Sequence, residues 1–333
     1  MSATPTISRD PPANASAVNT DTSLSPASGH LPHLGIIRFA GPDAAVFLQG
    51  QLSNDTRRLA AGAPLLAAYS TPQGRVLALL HLLPHSSGIL GLLPREIVLP
   101  TLERLRKFVL RAKVQLEDVS EQFHVLGFHG VDTLRALGLE PPAATPGYVE
   151  RGGIGIGRVR ADDERYWVVG SAADLAQGGT LAGGDAGRVE RDWRLADVRS
   201  GAPQIYAATR EMFVAQMLNL DRIDGISFTK GCFTGQEIIA RTQHLGRIKR
   251  RVFRLGLPAG TWALGQAIQL RGGRGGRLTE FVSVPGGVEA LAVLILDAGA
   301  PADDSKSAEP DSTANTLVDA TELPLPYSLV SQG

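Results

Sequence analysis

The residue type in this chain with the clearest capacity for chemistry is its one thiol, Cys232, in the segment Lys230-Gly231-Cys232-Phe233-Thr234-Gly235-Gln236-Glu237. A cysteine reacts as its thiolate, so what matters is how its neighbours treat negative charge. Thr234 followed three positions later by Glu237 reads as a capping box that starts a helix at Gly235. Cys232 then lies just ahead of a helix N-terminus, where free N–H groups and the helix dipole favour an anion. Lys230 adds a positive charge two positions away. Both influences favour the thiolate if the sulfur faces them. Gly231 and Gly235 bracket the cysteine and let the backbone approach a ligand closely. The residues alone leave a second reading open, in which Cys232 is a small buried hydrophobe and Lys230 a solvated surface charge.

Other chemical signals are weaker. Arg271–Arg277, reading RGGRGGR, is like an RNA-binding Arg-Gly tract, and Arg247, Lys249, Arg250 and Arg251 form a second basic cluster. The first is more simply a Gly-rich hairpin between two strands and the second the opening of a strand, so direct RNA binding is the minority reading. Gly153-Ile154-Gly155-Ile156-Gly157 has neither the spacing nor the following helix of a dinucleotide fingerprint. His81 and His85 have metal-like spacing only on a helix, which Pro84 and the strand pattern argue against, so no metal site is expected. Glu237 and Arg241, one helical turn apart, read as a surface ion pair. A lone cysteine excludes an internal disulfide and a multi-thiolate metal site, and fits a reducing compartment.

The elements that position these residues follow from pattern and composition. In 333 residues, 33 Lys plus Arg balance 33 Asp plus Glu, so global charge predicts neither a nucleic-acid nor a membrane partner. The apolar stretch from Val76 to Leu93 is broken by His81, Pro84, His85 and Gly88, and a cytoplasmic protein without a membrane span is expected. Residues 1–30 read as a disordered leader. Strands are expected at Leu34–Phe39, Leu65–Tyr69, Val76–Leu83, His124–Phe128, Ile154–Val159, Tyr166–Val169 and Ile226–Phe228. A helix opens after Pro42; another, capped by Thr101, carries Leu102, Leu105, Phe108, Val109 and Ala112 on one face. Short helices are expected ending at Gly138 and starting at Ser171, and a longer one over Val189–Arg199. After residue 247, short strands with Gly-rich turns read as a small β-barrel, with a floppy loop at 300–316 and an edge strand at Leu323–Leu329. The fold class is α+β.

The octapeptide Lys230–Glu237, preceded by Asn219-Leu220 and Gly225-Ile226-Ser227-Phe228, resembles the signature of the YgfZ family of folate-binding proteins. Weaker similarity runs through Phe47–Thr56, Thr71–Val76, Lys107–Val114 and the closing Leu323-Pro324-Leu325-Pro326-Tyr327. The resemblance implies an aminomethyltransferase-like fold, with two intertwined α+β subdomains over residues 31–246 and a carboxyl-terminal β-barrel over 247–333. It implies tetrahydrofolate or another folate as cofactor and a supporting role for iron–sulfur proteins, including those that modify tRNA. Cys232 and Lys230 would be the reactive pair, with Trp193, Gly231, Gln236 and Glu237 on the folate side. A second family tryptophan is replaced here by Leu34. The related aminomethyltransferase carries an acidic pair just after the turn at residues 71–74, whereas Gly74–Leu79 has no carboxylate, so aminomethyl transfer is the less favoured reading.

Overall fold

Alternating and leucine-rich segments of the first half build two five-stranded sheets, and the Gly-punctuated segments after residue 249 build a third of six strands. The structure is a computed structural model and describes residues 27–145, 147–177, 179, 185–244, 248–296 and 316–329. Most of the expected leader and all but the last residue of the expected 300–316 loop lie outside these residues.

The first sheet runs Leu65–Ser70, Val76–His85, Gly88–Pro94, Leu34–Ala40, Gln115–Asp118, antiparallel throughout. Val76–His85 lies between two neighbours and its first eight residues are buried, which explains an apolar run without alternation. The second sheet runs Gly29–His30, Phe123–His129, Arg165–Ser171, Ile154–Arg158, Tyr148–Arg151. The chain thus enters the second sheet, crosses to the first, and returns. The two sheets share one core: Leu34, Ile36, Leu83, Leu90 and Leu92 meet Val125, Trp167 and Val169. Burying both faces against each other is what interlocks the halves of this α+β fold.

Among the described residues six α-helices accompany the sheets: α1 (Ala44–Gln51), α2 (Val98–Arg106), α3 (Val131–Arg135), α4 (Ala172–Gln177), α5 (Ala186–Ser200) and α6 (Gln236–His244). Asp185 caps α5 by accepting from Gly187 and Arg188 N–H, and Gly201, at φ +64, ends it. Ser171 Oγ accepts from Asp174 N–H at the start of α4, as its sequence suggests. Among the described residues no helix is long and apolar enough to cross a membrane.

The third sheet runs Thr316–Val318, Ala267–Leu270, Gly275–Val284, Gly287–Ile295, Arg250–Leu257, Thr321–Leu323. Its two edge strands are separated in sequence by Asp319 and Ala320 alone, so the sheet curls and brings its edges close where they join. Salt bridges fasten it to α5: Arg194 to Glu280 (2.5 Å), and Arg199 to Glu289 (2.7 Å), which also takes Arg254 (2.6 Å). Tyr327 Oη donates to Gly201 O (2.7 Å) and accepts from Asn219 Nδ2 (3.2 Å), while Asn219 Nδ2 also donates to Val252 O (2.9 Å). Tyr327 and Asn219 together thereby join the end of α5 to the third sheet.

Gly88–Pro94 forms a strand that the sequence pattern does not place, and three expectations need correction. Helix α2 stops at Arg106, with Thr101 buried inside it, and Phe108 is exposed rather than on its apolar face. Ile226–Phe228 forms no strand. Beyond Thr321–Leu323, residues 324–329 pair with no strand, because Pro324 and Pro326 have no N–H to offer.

Candidate functional site: a pinned cysteine loop and a buried aromatic cluster

The segment ahead of Cys232 is fastened to the chain after α1 by two fully buried polar side chains, Ser53 and Asn54. Ser53 Oγ donates to Gly225 O (2.6 Å) and accepts from Ala68 N–H (2.8 Å), and Ser53 O accepts from Ser227 N–H (3.0 Å). Asn54 Nδ2 donates to Leu66 O (2.8 Å) and Asp224 O (2.6 Å). A strand of the first sheet and a loop some 170 residues later are thus held by the same amide. Buried polar groups with all partners in place specify one geometry.

Lys230 is 5% exposed, and its ammonium donates to Gln49 O (2.7 Å), Leu52 O (2.6 Å) and Asn54 O (3.0 Å). All three of its protons are thereby used. Gln49 O belongs to the last turn of α1, where carbonyls lack helical partners and the dipole favours a cation. Burial pushes the Lys230 pKa down to about 8; Asp55 opposes this and Arg57 adds to it. The aromatic face of the buried Phe233 lies 4.8 Å from the same ammonium. Lys230 is therefore no solvated surface charge: it pins the loop, and its protons are committed to backbone oxygens rather than to the thiol.

Cys232 itself is exposed, as is Gly231, around which a Cβ would meet nothing within 4 Å. Behind it two remote glycines interlock. Gly235, at φ +85, has Thr71 O 2.7 Å from where its Cβ would stand; Gly74, at φ +74, has the Ile238 side chain at 2.9 Å. The expected capping box is not formed. Helix α6 starts at Gln236, whose Oε1 accepts from Phe233 N–H (3.3 Å), while Thr234 N–H donates to Gly50 O (3.2 Å). Glu237 is exposed, and among the described residues it makes no ion pair with Arg241. Gln216 Nε2 donates to Ile239 O (2.6 Å) and holds α6 against the core.

Trp193 lies elsewhere, in the core shared by the first two sheets, 2% exposed. Its ring lies against Gly127, where a Cβ would stand 2.3 Å from it, and the Arg165 guanidinium lies 4.7 Å from its centroid. Arg165 is held by Asp163 (2.6 Å) and Asp197 (2.8 Å). Trp167 lies 6.3 Å from Trp193, and His81 4.6 Å from Trp167, centroid to centroid. His81 Nε2 accepts from Gln204 Nε2 (3.2 Å), which requires a neutral ring. Burial, followed by Arg165 and Arg160, pushes its pKa down to about 3. Trp167 Nε1, Gln204 Oε1 and His129 Nε2 are buried and find no hydrogen-bond partner among the described residues. Leu34 joins the same cluster.

The strand Val76–His85 links the two places. Its start follows the turn against Gly235, and His81 lies five residues along, about 17 Å away at strand rise. The structure thus brings Gly231, Cys232, Gln236 and Glu237 together and places Trp193 at the far end of a central strand. Along that strand Val76–Leu80 is entirely apolar and buried, with no carboxylate. The sequence does not reveal the roles of Ser53, Asn54, His81 and Gln204 because each acts on residues 12 to 172 positions away.

The arginines of the RGGRGGR hairpin are spent internally, and so is Arg251 of the second cluster. Arg271 pairs with Asp319, Arg274 with Glu322, and Arg277 donates to Gly265 O (2.9 Å). Arg251 is buried and forks onto Asp221 (2.6 and 2.8 Å); Arg247 lies outside the described residues. Among the described residues no group of three His, Cys, Asp or Glu side chains is placed to hold a metal ion.

Comparison with known proteins agrees with this architecture. No family profile matches the chain. A tRNA-modifying protein YgfZ of Hamiltonella defensa is 30% identical over 243 residues, covering 71% of this chain and 69% of the relative. That of Colwellia psychrerythraea is 32% identical over 228 residues, 67% and 69% of the two chains. That of Escherichia coli K12 is 29% identical over 303 residues, 87% and 89%. Among solved structures, the glycine cleavage system aminomethyltransferase T of Bartonella henselae superposes with a TM-score of 0.56 at 15% identity, over 80% of this chain and 78% of that one. The fold is therefore aminomethyltransferase-like, and the chain belongs to the YgfZ family of tRNA-modifying proteins.

Proposed function

We propose that the chain binds tetrahydrofolate or another folate and serves as an accessory protein to iron–sulfur enzymes, including enzymes that modify tRNA, with Cys232 as its reactive group. The observation that carries the folate reading is that three of the fifteen buried side-chain atoms without a hydrogen-bond partner among the described residues, Trp167 Nε1, Gln204 Oε1 and His129 Nε2, gather in aromatic surroundings. Buried donors and acceptors without partners are rare and call for an occupant or a rearrangement. A pterin is flat and carries donors and acceptors along one edge, so its chemistry complements an indole N–H, an amide oxygen and aromatic rings. When bound, a folate supplies a one-carbon carrier. The chain's own residues would bind and orient it: Trp167 by donating, Gln204 by accepting, Trp193 by packing. With no carboxylate along Val76–Leu80, the chain lacks there the positioned acid or base that aminomethyl transfer requires.

Cys232 supports the second half of the reading. An exposed thiol on a loop held by Ser53, Asn54 and Lys230 is available to a partner without being free to wander. One sulfur per chain fills one position on a cluster, so any cluster it touches takes its remaining ligands from another protein. The test is tetrahydrofolate titration of protein purified without air, followed by tryptophan fluorescence. Saturable binding, weakened several-fold by Gln204→Leu and by Trp193→Ala, is expected. Absence of saturable binding sinks the folate reading; retained support of iron–sulfur enzymes in Cys232→Ala sinks the role of the thiol.

A further inference from the structure

Helix α2 ends at Arg106, and the chain then makes a tight turn that is anchored at both ends. Lys107 N–H donates to Arg104 O (3.3 Å), Phe108 N–H to Leu105 O (3.0 Å) and Leu110 N–H to Phe108 O (3.0 Å). Val109 and Ala112 pack on the main core. Lys113 N–H donates to Asp43 Oδ2 (2.7 Å), and Asp43 N–H returns a bond to Lys113 O (3.3 Å). Gly41, at φ +118, has Lys113 O 2.4 Å from where its Cβ would stand, so only glycine permits this approach.

What this rigid turn presents to solvent is unusual. Leu110 is 86% exposed and Phe108 43%, although each belongs to a residue type that normally seeks the interior. Arg106, Lys107, Arg111 and Lys113 are exposed around them, and no acidic residue occurs between Arg104 and Leu116. Among the described residues none of these four cations pairs with a carboxylate; Arg106 gives one N–H to Leu116 O (2.9 Å). The acids nearest in sequence are Glu103, exposed one turn before Lys107, and Glu117, which is taken by Arg38. The arginines of the RGGRGGR hairpin, by contrast, are bound to Asp319, Glu322 and a carbonyl.

We propose that the turn Arg106–Lys113 is an RNA-docking surface, its cations meeting phosphates and Phe108 stacking on an unpaired base. Cations interleaved with an exposed aromatic face match a chain of phosphates and bases. An acidic protein would answer the cations and leave the flat ring without a matching surface. A bilayer is disfavoured because two apolar side chains are too little to insert. RNA lying here would reach the thiol: α1 starts beside the Asp43–Lys113 bonds and ends where Lys230 pins the cysteine loop, about 12 Å further on. The proposal does not rest on folate binding.

The test is fluorescence anisotropy of the full-length protein with a labelled tRNA transcript and a labelled single-stranded RNA, over a range of salt. Lys107→Glu/Arg111→Glu/Lys113→Glu should weaken binding at least tenfold at low salt, and the corresponding triple Ala variant should flatten the log–log salt slope by about 3. Phe108→Ala, at unchanged charge, should weaken binding about tenfold. Thermal unfolding identical to the parent establishes that each variant is folded, and Arg111→Gln alone gives a milder second measure. The proposal is overturned if neither RNA shows salt-sensitive binding, or if the charge variants bind unchanged. It is equally overturned if Arg271→Ser/Arg274→Ser removes binding instead, or if polyglutamate or anionic vesicles bind through the same four cations as well as RNA does.

Discussion

Lys230 and Cys232 are separated by one glycine, yet their surroundings give them opposite dependence on the fold. Lys230 places a charge in a cradle of three carbonyls, so Lys230→Met leaves those oxygens buried and unpaired. It should destabilise the protein by about 3 kcal/mol in urea unfolding. Cys232→Ala, at an exposed position, should change stability by less than about 0.5 kcal/mol while removing the thiol. If both substitutions left stability unchanged, the pinning role assigned to Lys230 would be wrong. The residue type and its place in the octapeptide are evident in the sequence; its partners at 49, 52 and 54 are not, because nothing local connects them to it.

At the scale of elements, the contact between α6 and the turn at residues 71–74 depends on the absence of side chains at two points. Gly235→Ala would force a Cβ against Thr71 O from a left-handed backbone, at a cost of roughly 1–3 kcal/mol, whereas Gly231→Ala meets open space. Equal denaturation midpoints for the two variants would contradict this. The α+β class, most strands and helices and the curled third sheet are legible from periodicity and turn residues. Helix α2 shows where periodicity misleads: Leu102, Leu105, Phe108, Val109 and Ala112 keep helical spacing, but the chain leaves the helix at Lys107 and turns Phe108 outward. Gly88–Pro94 was hidden because Gly88 and Gly91 resemble breakers, although neighbouring strands close in over them. The aromatic cluster was half legible. Trp193 stands out by resemblance, while His81 and Gln204 meet only once two sheets and the chain after α5 have folded together.

For the whole molecule, acid is the informative stress. Burial holds His81 and His33 down to about 3 and His129 to about 4, all below the ordinary 6.5 of the unfolded chain. The unfolded state therefore takes up these protons first, and the stability these residues contribute is present above pH 6.5 and lost as pH falls towards 4. Asp197, pushed up to about 6 by burial against the opposing pull of Arg165, works in the other direction below that value. A net uptake of about two protons on unfolding should remain, roughly 2–3 kcal/mol per pH unit between pH 6 and 4. Urea midpoints measured across that range should fall steeply, and less steeply in His81→Gln; a flat profile would contradict the buried neutral imidazoles. Tyr327 sets a different order of events. Synthesis delivers it more than 100 residues after the two groups it links, so Gly201 and Asn219 are joined only once residue 327 has been made. Ribosome-arrested chains ending before residue 327 should accordingly stay open to protease at Gly201.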